Sequence, residues 1–327
     1  MLSNVLRQSH IRESAHLQSL FLSPESLTES PLNVKSFPME EEEPMNARPG
    51  KSTMLSGSNG IKIFYRYYPA EVERARLVIA HGLGEHSGRY ANVVDVMRSM
   101  GVSVWALDHR GHGYSDGKRG HILNFTQFLS DLHLMVSRAR EGLPAEMKCF
   151  LLGHSMGGLI VLLFNQRFPD LTEGVIVSSP ALGMVLDVPR AKKLLGLLMS
   201  YIWPSLTLSN ELDITKISHD PDVVTDYSND SLVHDRVSAR FFTEFLSAME
   251  TAHQNATAIK VPILMQVAGD DYLVNADSSI RFFKKLDVMD KTLRLYKGMY
   301  HEIYNETGDE KQRVLTDLHD WLERHIN

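Results

Sequence analysis

From about residue 54 onward, the apolar positions of the chain follow two alternating rhythms. Residues 61–67 alternate apolar and polar, as a half-buried antiparallel strand does. Leu77-Val78-Ile79-Ala80, Phe150-Leu151-Leu152, Val175-Ile176-Val177 and the run 102–107 are apolar or nearly so throughout. That is the pattern of parallel strands covered on both faces. The runs 261–267 and 292–296 complete the set. Helical spacing occupies the intervals near 89–100, 124–141, 156–167, 275–286 and 309–325. Strand and helix in alternation predict an α/β protein, with a mostly parallel central sheet and helices on both faces.

The alternation stops between about 181 and 255, where helical patterns occur without an obvious strand. One segment there, Leu194-Leu195-Gly196-Leu197-Leu198-Met199-Ser200-Tyr201-Ile202-Trp203, is apolar nearly all round. Such a helix must bury every face or present one to something apolar. Because it interrupts the sheet, the span 181–255 is expected to be a helical lid, with Leu194, Leu198 and Ile202 as candidate contacts for substrate. Core packing is the plainer alternative for each of them. The expected organisation is an N-terminal extension over 1–50, core over 51–180, lid over 181–255 and core again over 256–327. The extension is rich in Ser, Pro and Glu, with Glu40-Glu41-Glu42-Glu43, and reads as a flexible tail. Leu2, Val5, Leu6, Leu17, Leu20 and Phe21 recur at roughly helical spacing and could form a short amphipathic helix.

Composition narrows the functional classes. A net charge of -6 over 327 residues gives no reason to expect nucleic acid as a partner. The one cysteine, Cys149, falls in a predicted strand, so no intrachain disulfide is possible and no oxidising compartment is required. No apolar stretch reaches the roughly 18 residues of a membrane span. Arg7, His10, Arg12 and Glu13 interrupt any leader-like apolar run. The expected location is cytoplasmic, with peripheral membrane contact through the lid as an option. Oligomeric state is not legible.

The chemistry is concentrated at Gly153-His154-Ser155-Met156-Gly157-Gly158, directly after an apolar run. This reads as strand, sharp turn and helix, the nucleophile elbow of an α/β-hydrolase, with Ser155 at its apex. Gly153 and Gly157 are expected because strand and helix approach too closely there for a Cβ. Acyl transfer by serine also needs a base, a carboxylate to orient it, and donors for the oxyanion. His301, in a loop after the last strand, is the candidate base. His325 lies on the terminal helix and is expected to face solvent. The carboxylate should follow the penultimate strand, where Asp270-Asp271 sits. The order Ser155, Asp271, His301 is the one this fold demands. The oxyanion donors would be the N–H groups of Met156 and of Leu83, in His81-Gly82-Leu83-Gly84. Aimed donors of this kind are worth about 3 kcal/mol each. Among 15 histidines, His81, His86, His109, His112 and His121 are the densest set. No H-E-x-x-H occurs, and these histidines are expected to hydrogen-bond around the pocket and not to hold a metal. No cofactor is expected.

Taken together, His81-Gly82-Leu83-Gly84-Glu85-His86-Ser87-Gly88-Arg89-Tyr90, Asp108-His109-Arg110-Gly111-His112-Gly113-Tyr114-Ser115-Asp116-Gly117, the serine elbow and Tyr300-His301-Glu302 resemble the monoacylglycerol lipase and lysophospholipase-like α/β-hydrolases. Leu206-Thr207-Leu208-Ser209-Asn210 and Tyr227-Ser228-Asn229-Asp230 extend the resemblance into the lid. It implies a serine carboxylester hydrolase acting on a single-chain lipid ester, with the acyl chain beneath the lid. Asp271-Tyr272-Leu273-Val274 resembles the family's Asp-x-x-Val spacing and so favours Asp271 over Asp270. Relatives often carry Asp-Pro-Leu where this chain has Asp230-Ser231-Leu232, which should loosen a turn. The alternatives are a proline iminopeptidase-type peptidase on the same fold, against which the apolar lid argues, and a catalytically inactive binding protein on a hydrolase fold.

Overall fold

The structure is a computed structural model that describes residues 50–57, 60–185 and 190–327. The expected tail and its amphipathic pattern lie outside the described residues. The frame is a single eight-stranded sheet. β1 (Lys51–Ser56) and β2 (Lys62–Tyr68) form an antiparallel pair at one edge. β2 joins β4 (Val102–Leu107), again antiparallel. From there β3 (Ala75–Ala80), β5 (Lys148–His154), β6 (Gly174–Ser178), β9 (Ile263–Ala268) and β10 (Lys291–Tyr296) run parallel. The spatial order is β1-β2-β4-β3-β5-β6-β9-β10.

Side chains of β5 show why its sequence reads as continuously apolar. Cys149 and Leu151 enter one core, Phe150 and Leu152 the other, because successive strand residues point to opposite faces. The first core is closed by α2 (Thr126–Arg140), α3 (Met156–Arg167), α6 (Ala239–Gln254) and α7 (Ala276–Lys285), through Phe128, Leu159, Phe241 and Phe282. The second is closed by α1 (Ala91–Ser99) and α8 (Gly308–Ile326), through Val93, Met97, Leu318 and Trp321. Each such side chain contributes about 1.5–3 kcal/mol by leaving water. On α8, His325 does not face solvent as expected. Its ring stacks on Trp321 at 4.0 Å and its Nε2 lies 3.0 Å from Asp290.

The span 181–255 holds α4 (Arg190–Ile202), β7 (Thr207–Ser209), α5 (Pro221–Asn229), β8 (Arg236–Ser238) and α6. β7 and β8 pair antiparallel, a small sheet that three-residue runs are too short to announce by periodicity. α5 begins on Asp220, whose side chain accepts from the Asp222 N–H, followed by Pro221. α6 begins on Ser238, which accepts from the Phe241 N–H, and buries Phe241, Phe245 and Met249 in the first core. α4 is inverted. It seats Ser200 on Thr243 at 3.0 Å, and Gly196 lies against Phe242. Leu194, Leu195, Leu198, Tyr201 and Ile202 are all more than half exposed. The plainer core reading of Leu194, Leu198 and Ile202 therefore fails. Among the described residues, no helix is long and apolar enough to cross a membrane.

A buried ion pair ties the loop after β4 to α2. Arg110 Nε and Nη2 donate to Asp131 Oδ2 and Oδ1 at 2.6 and 2.7 Å. Removing Asp131 takes from the buried Arg110 guanidinium its bidentate carboxylate. Asp131→Ala should therefore cost about 3–5 kcal/mol in denaturant unfolding. The double change Arg110→Met with Asp131→Leu should recover most of that loss. A double variant as unstable as the single one would show that the pair does more than neutralise itself.

Candidate active site

Ser155 joins β5 to α3 with φ 52° and ψ −116°, left-handed backbone that a side chain tolerates only under compulsion. The compulsion is crowding. A Cβ on Gly153 would collide with the Gly157 carbonyl oxygen, and a Cβ on Gly157 with that of Ala80, at the end of β3. Ser155 N–H donates to the Ser178 carbonyl at 2.9 Å, and the Ser155 carbonyl accepts from Ala181 N–H at 2.9 Å. Met156 is the first residue of α3, so its N–H is among those an α-helix leaves without an internal acceptor. The loop after β3 passes close by. A Cβ on Gly82 would lie 3.3 Å from Ser155 Cβ, and Leu83 follows it.

His301 sits in the loop after β10, and Asp271 in the loop after β9. Their side chains meet with Nδ1 to Oδ2 at 2.6 Å. The other Asp271 oxygen accepts from the N–H groups of Leu273 and Val274 at 2.8 and 2.9 Å. Asp270, one residue earlier, is exposed. Burial pushes the Asp271 carboxyl up, but the adjacent imidazole and the hydrogen bonds outweigh it and hold the group below the usual aspartate value. Burial likewise pushes His301 down, and Asp271, with help from Glu302 and Glu85, holds it above the ordinary histidine value. His154, the residue before Ser155, places its ring 4.7 Å from the His301 ring. Burial and the His301 charge drive His154 down to about 3. Of two neighbouring imidazoles, one is tuned to take a proton and the other to refuse it.

Around this centre lies a buried polar cluster of Glu85, Arg89, Tyr90, His154 and Glu302. The histidine-rich set does not gather on one point. His86 Nε2 pairs with Asp230 at 2.7 Å, and His121 Nδ1 with Ser238 at 2.8 Å. His81, His109 and His112 cluster by their rings, with His81 4.4 Å from His109 and 5.3 Å from His112. His81 Nε2 accepts from the His109 N–H at 2.9 Å. Among the described residues, the group whose ligand atoms converge enough for a metal is His219, Glu306 and Glu310. Glu306 there already accepts from the N–H groups of Tyr300 and His219.

The segment after β7 is fastened across the site. Ile217 O accepts from the Glu302 N–H, and Gly84 O from the His234 N–H, each at 2.8 Å. Ser218 Oγ donates to Asn305 O at 2.8 Å. His219 stacks on Tyr300 at 3.6 Å. The turn lacking proline is held by its own aspartate, since Asp230 Oδ1 accepts from the Leu232 N–H at 2.8 Å. Leu194, Leu198 and Ile202 are displayed on the outer surface of α4.

A mostly parallel sheet sandwiched by helices, with a left-handed serine between β5 and α3, defines an α/β-hydrolase. Residues 71–308 match the family described as serine aminopeptidase, S33, and the chain belongs to that family of serine hydrolases. It is 32% identical to a monoacylglycerol lipase of Mycolicibacterium smegmatis, over 83% of this chain and 96% of that protein. The crystal structure of Paleococcus ferrophilus monoacylglycerol lipase superposes with a TM-score of 0.74 and 36% identity, covering 80% of this chain and 99% of that one. An uncharacterized abhydrolase domain-containing protein of Dictyostelium discoideum is 37% identical over 77% of this chain, which spans 26% of that protein.

Burial drives His81 and His112 far below the ordinary histidine value, His109 and His154 to about 3, and His234 to about 4. These groups fold neutral. The unfolded chain takes up their protons first as pH falls through about 6.5. Their contribution to stability is complete above that value and lost below it. His301 acts in the opposite sense, against these five and against His121, His133 and His253, which partial burial also lowers. Urea-unfolding free energy should fall between about pH 6.5 and 4, by up to about 1.4 kcal/mol per pH unit for each such histidine. His109→Leu should flatten the slope. A flat profile in the wild type would contradict these assignments.

Proposed function

We propose that this protein hydrolyses single-chain lipid esters, monoacylglycerol or a closely similar amphiphile, through an acyl-enzyme on Ser155. The observation that carries this reading is the bonded Asp271–His301 pair, whose imidazole lies 4.7 Å from the ring of His154, the residue directly before a serine held in left-handed backbone. Ser155 Oγ attacks the ester carbonyl while His301 takes its proton. Asp271 keeps the imidazole in the required tautomer and stabilises the imidazolium. The N–H groups of Leu83 and Met156 hold the oxyanion. His301 returns its proton to the leaving alcohol, then activates the water that releases the fatty acid. The steps use groups of this chain, the ester and one water.

The lipid substrate is supported by the relatives named monoacylglycerol lipase and by the outward leucines of α4. Residues 181–255 form the lid in this reading, footed on α6, between the core segments 51–180 and 256–327, with 1–50 as an extension. Leu194, Leu198 and Ile202 meet acyl chains at a membrane or micelle surface, and the protein works as a peripheral enzyme. A peptidase recognising a free amine needs an acidic subsite. Glu85 and Glu302, the buried carboxylates beside the site, are already paired with Arg89, which speaks against that alternative.

The assignment of the acid is tested with Ser155→Ala as the blank. Asp271→Asn should lose about four orders of magnitude in turnover, and Asp270→Asn much less than a hundredfold. A reversal would move the role to Asp270. Hydrolysis by Ser155→Ala at the wild-type rate, or failure of the wild type to react with a fluorophosphonate probe, would remove the enzyme reading altogether.

The role of α4 is tested with Leu198→Asp combined with Ile202→Asp. Activity on a long-chain monoacylglycerol in micelles should fall far more than activity on p-nitrophenyl acetate, because only the former needs an apolar docking face. Equal losses would reduce α4 to a packing role.

A further inference from the structure

The loop after β3 and the loop after β10 are distant in sequence, yet buried charges join them. The Gly82 N–H donates to Glu85 Oε1 at 2.6 Å, and the Tyr90 hydroxyl donates to the same oxygen at 2.8 Å. Arg89 Nη1 reaches Glu85 Oε2 at 3.1 Å. The same guanidinium forks onto Glu302, Nη1 to Oε1 at 2.6 Å and Nη2 to Oε2 at 2.7 Å. Asn305 Nδ2 donates to Glu302 Oε2 at 3.0 Å. The Tyr227 ring covers the guanidinium at 4.6 Å. Glu85 and Glu302 are 4% and 6% exposed.

We propose that Arg89 is a positioning residue for catalysis: its fork on Glu302 and its bond to Glu85 lock the loop bearing the Leu83 N–H to the loop bearing His301. This rests on the roles given above to Ser155, His301 and Leu83. Glu302 directly follows His301 in the chain. Glu85 holds the N–H of Gly82, directly before Leu83. One planar cation between them sets the spacing of base and oxyanion donors, and a displacement of about 1 Å in such a pair costs about a hundredfold in rate. Fold stability does not call for the arrangement. A buried cluster of two carboxylates and one guanidinium carries desolvation costs that an apolar trio would avoid. Lysine could neutralise the carboxylates but could not make the fork. The cluster also faces the base electrostatically. The charged and titratable groups around His301 include Asp271 from the loop after β9, His154 from the end of β5, Glu302 from its own loop, Glu85 from the loop after β3, and Arg89, which lies between the two glutamates. Both glutamates favour its protonated form.

The test uses the full chain and p-nitrophenyl acetate, a substrate with neither a polar headgroup nor a long acyl chain. Arg89→Lys should lower kcat by about tenfold to a hundredfold, leave KM within about twofold, and slow fluorophosphonate labelling of Ser155 in proportion. Glu302→Gln removes one negative charge facing His301. It should lower kcat and move the acidic limb of the kcat/KM profile to lower pH. Tyr90→Phe, which deletes only the hydroxyl bonded to Glu85, should lose several-fold in kcat and serves should either charge variant misfold. A raised KM with unchanged kcat in Arg89→Lys would overturn the proposal by making Arg89 a binding residue. So would wild-type turnover and labelling in that variant, or an acidic limb that stays in place in Glu302→Gln. Absence of fluorophosphonate labelling in the wild type would instead locate the fault in the active-site reading.

Discussion

The start of α3 has no room for a Cβ at Gly157, because the carbonyl at the end of β3 lies directly against it. β3 and β5 are neighbours in the sheet, with Ala80 opposite Gly153. A helix that begins over their seam must leave β5 through a turn too sharp for ordinary backbone. Ser155 absorbs the turn with its positive φ, and the strain lifts its side chain clear of the sheet. The loop from β3 leaves at the same seam, so Leu83 follows a glycine on which an added Cβ would lie 3.3 Å from Ser155 Cβ. Ser155, Met156 and the loop of Leu83 thus meet at one contact between backbones. The sheet, its two cores and the surrounding helices hold that contact at the required distance.

Electrostatics then separates groups of the same type. His154 and His301 are adjacent rings, yet burial and the neighbouring charge push one far down while a carboxylate raises the other. Asp270 and Asp271 are adjacent in the chain, yet one is exposed and the other is held by a histidine and two amide N–H groups. In both cases the environment divides the labour, since a proton that can go to only one place need not be sorted kinetically.

Much of the fold was legible because parallel strands buried on both faces leave uninterrupted apolar runs, as Phe150-Leu151-Leu152 does. The elbow was legible because its crowding demands glycines at fixed offsets from a serine. Asp271 was separable from Asp270 only through the resemblance of Asp271-Tyr272-Leu273-Val274 to a family spacing. The structure adds the reason, for Leu273 and Val274 supply the N–H groups that anchor it. Three features were not readable. β7 and β8 are too short for a period to register. The apolar ring of residues on α4 could not say which side faces outward, since that depends on Ser200 and Gly196 finding α6. Glu85 and Arg89 have the spacing of a local ion pair, but the stronger partner of Arg89 is Glu302, 213 positions away. Sequence pattern reports neighbours within one element and is silent about charges that meet across the fold.

The way the segment after β7 is fastened has a mechanical consequence. Ile217, Ser218 and His219 hold the loop of His301, and His234 holds the loop of Leu83. Swinging the whole segment aside would pull on both loops at once and expose several buried hydrogen-bonding groups, each costing about 1–3 kcal/mol. α4 is fastened to a different element. It rests on α6, where Ser200 Oγ lies 3.0 Å from Thr243 Oγ1 and the Arg240 guanidinium donates to the Ser200 carbonyl at 2.9 Å while covering the Tyr201 ring. The two fastenings are therefore separate, one bearing on the loops of His301 and Leu83 and the other on α6. A load placed on the exposed leucines of α4 would therefore pass first to α6, a different element from the loops that carry His301 and Leu83.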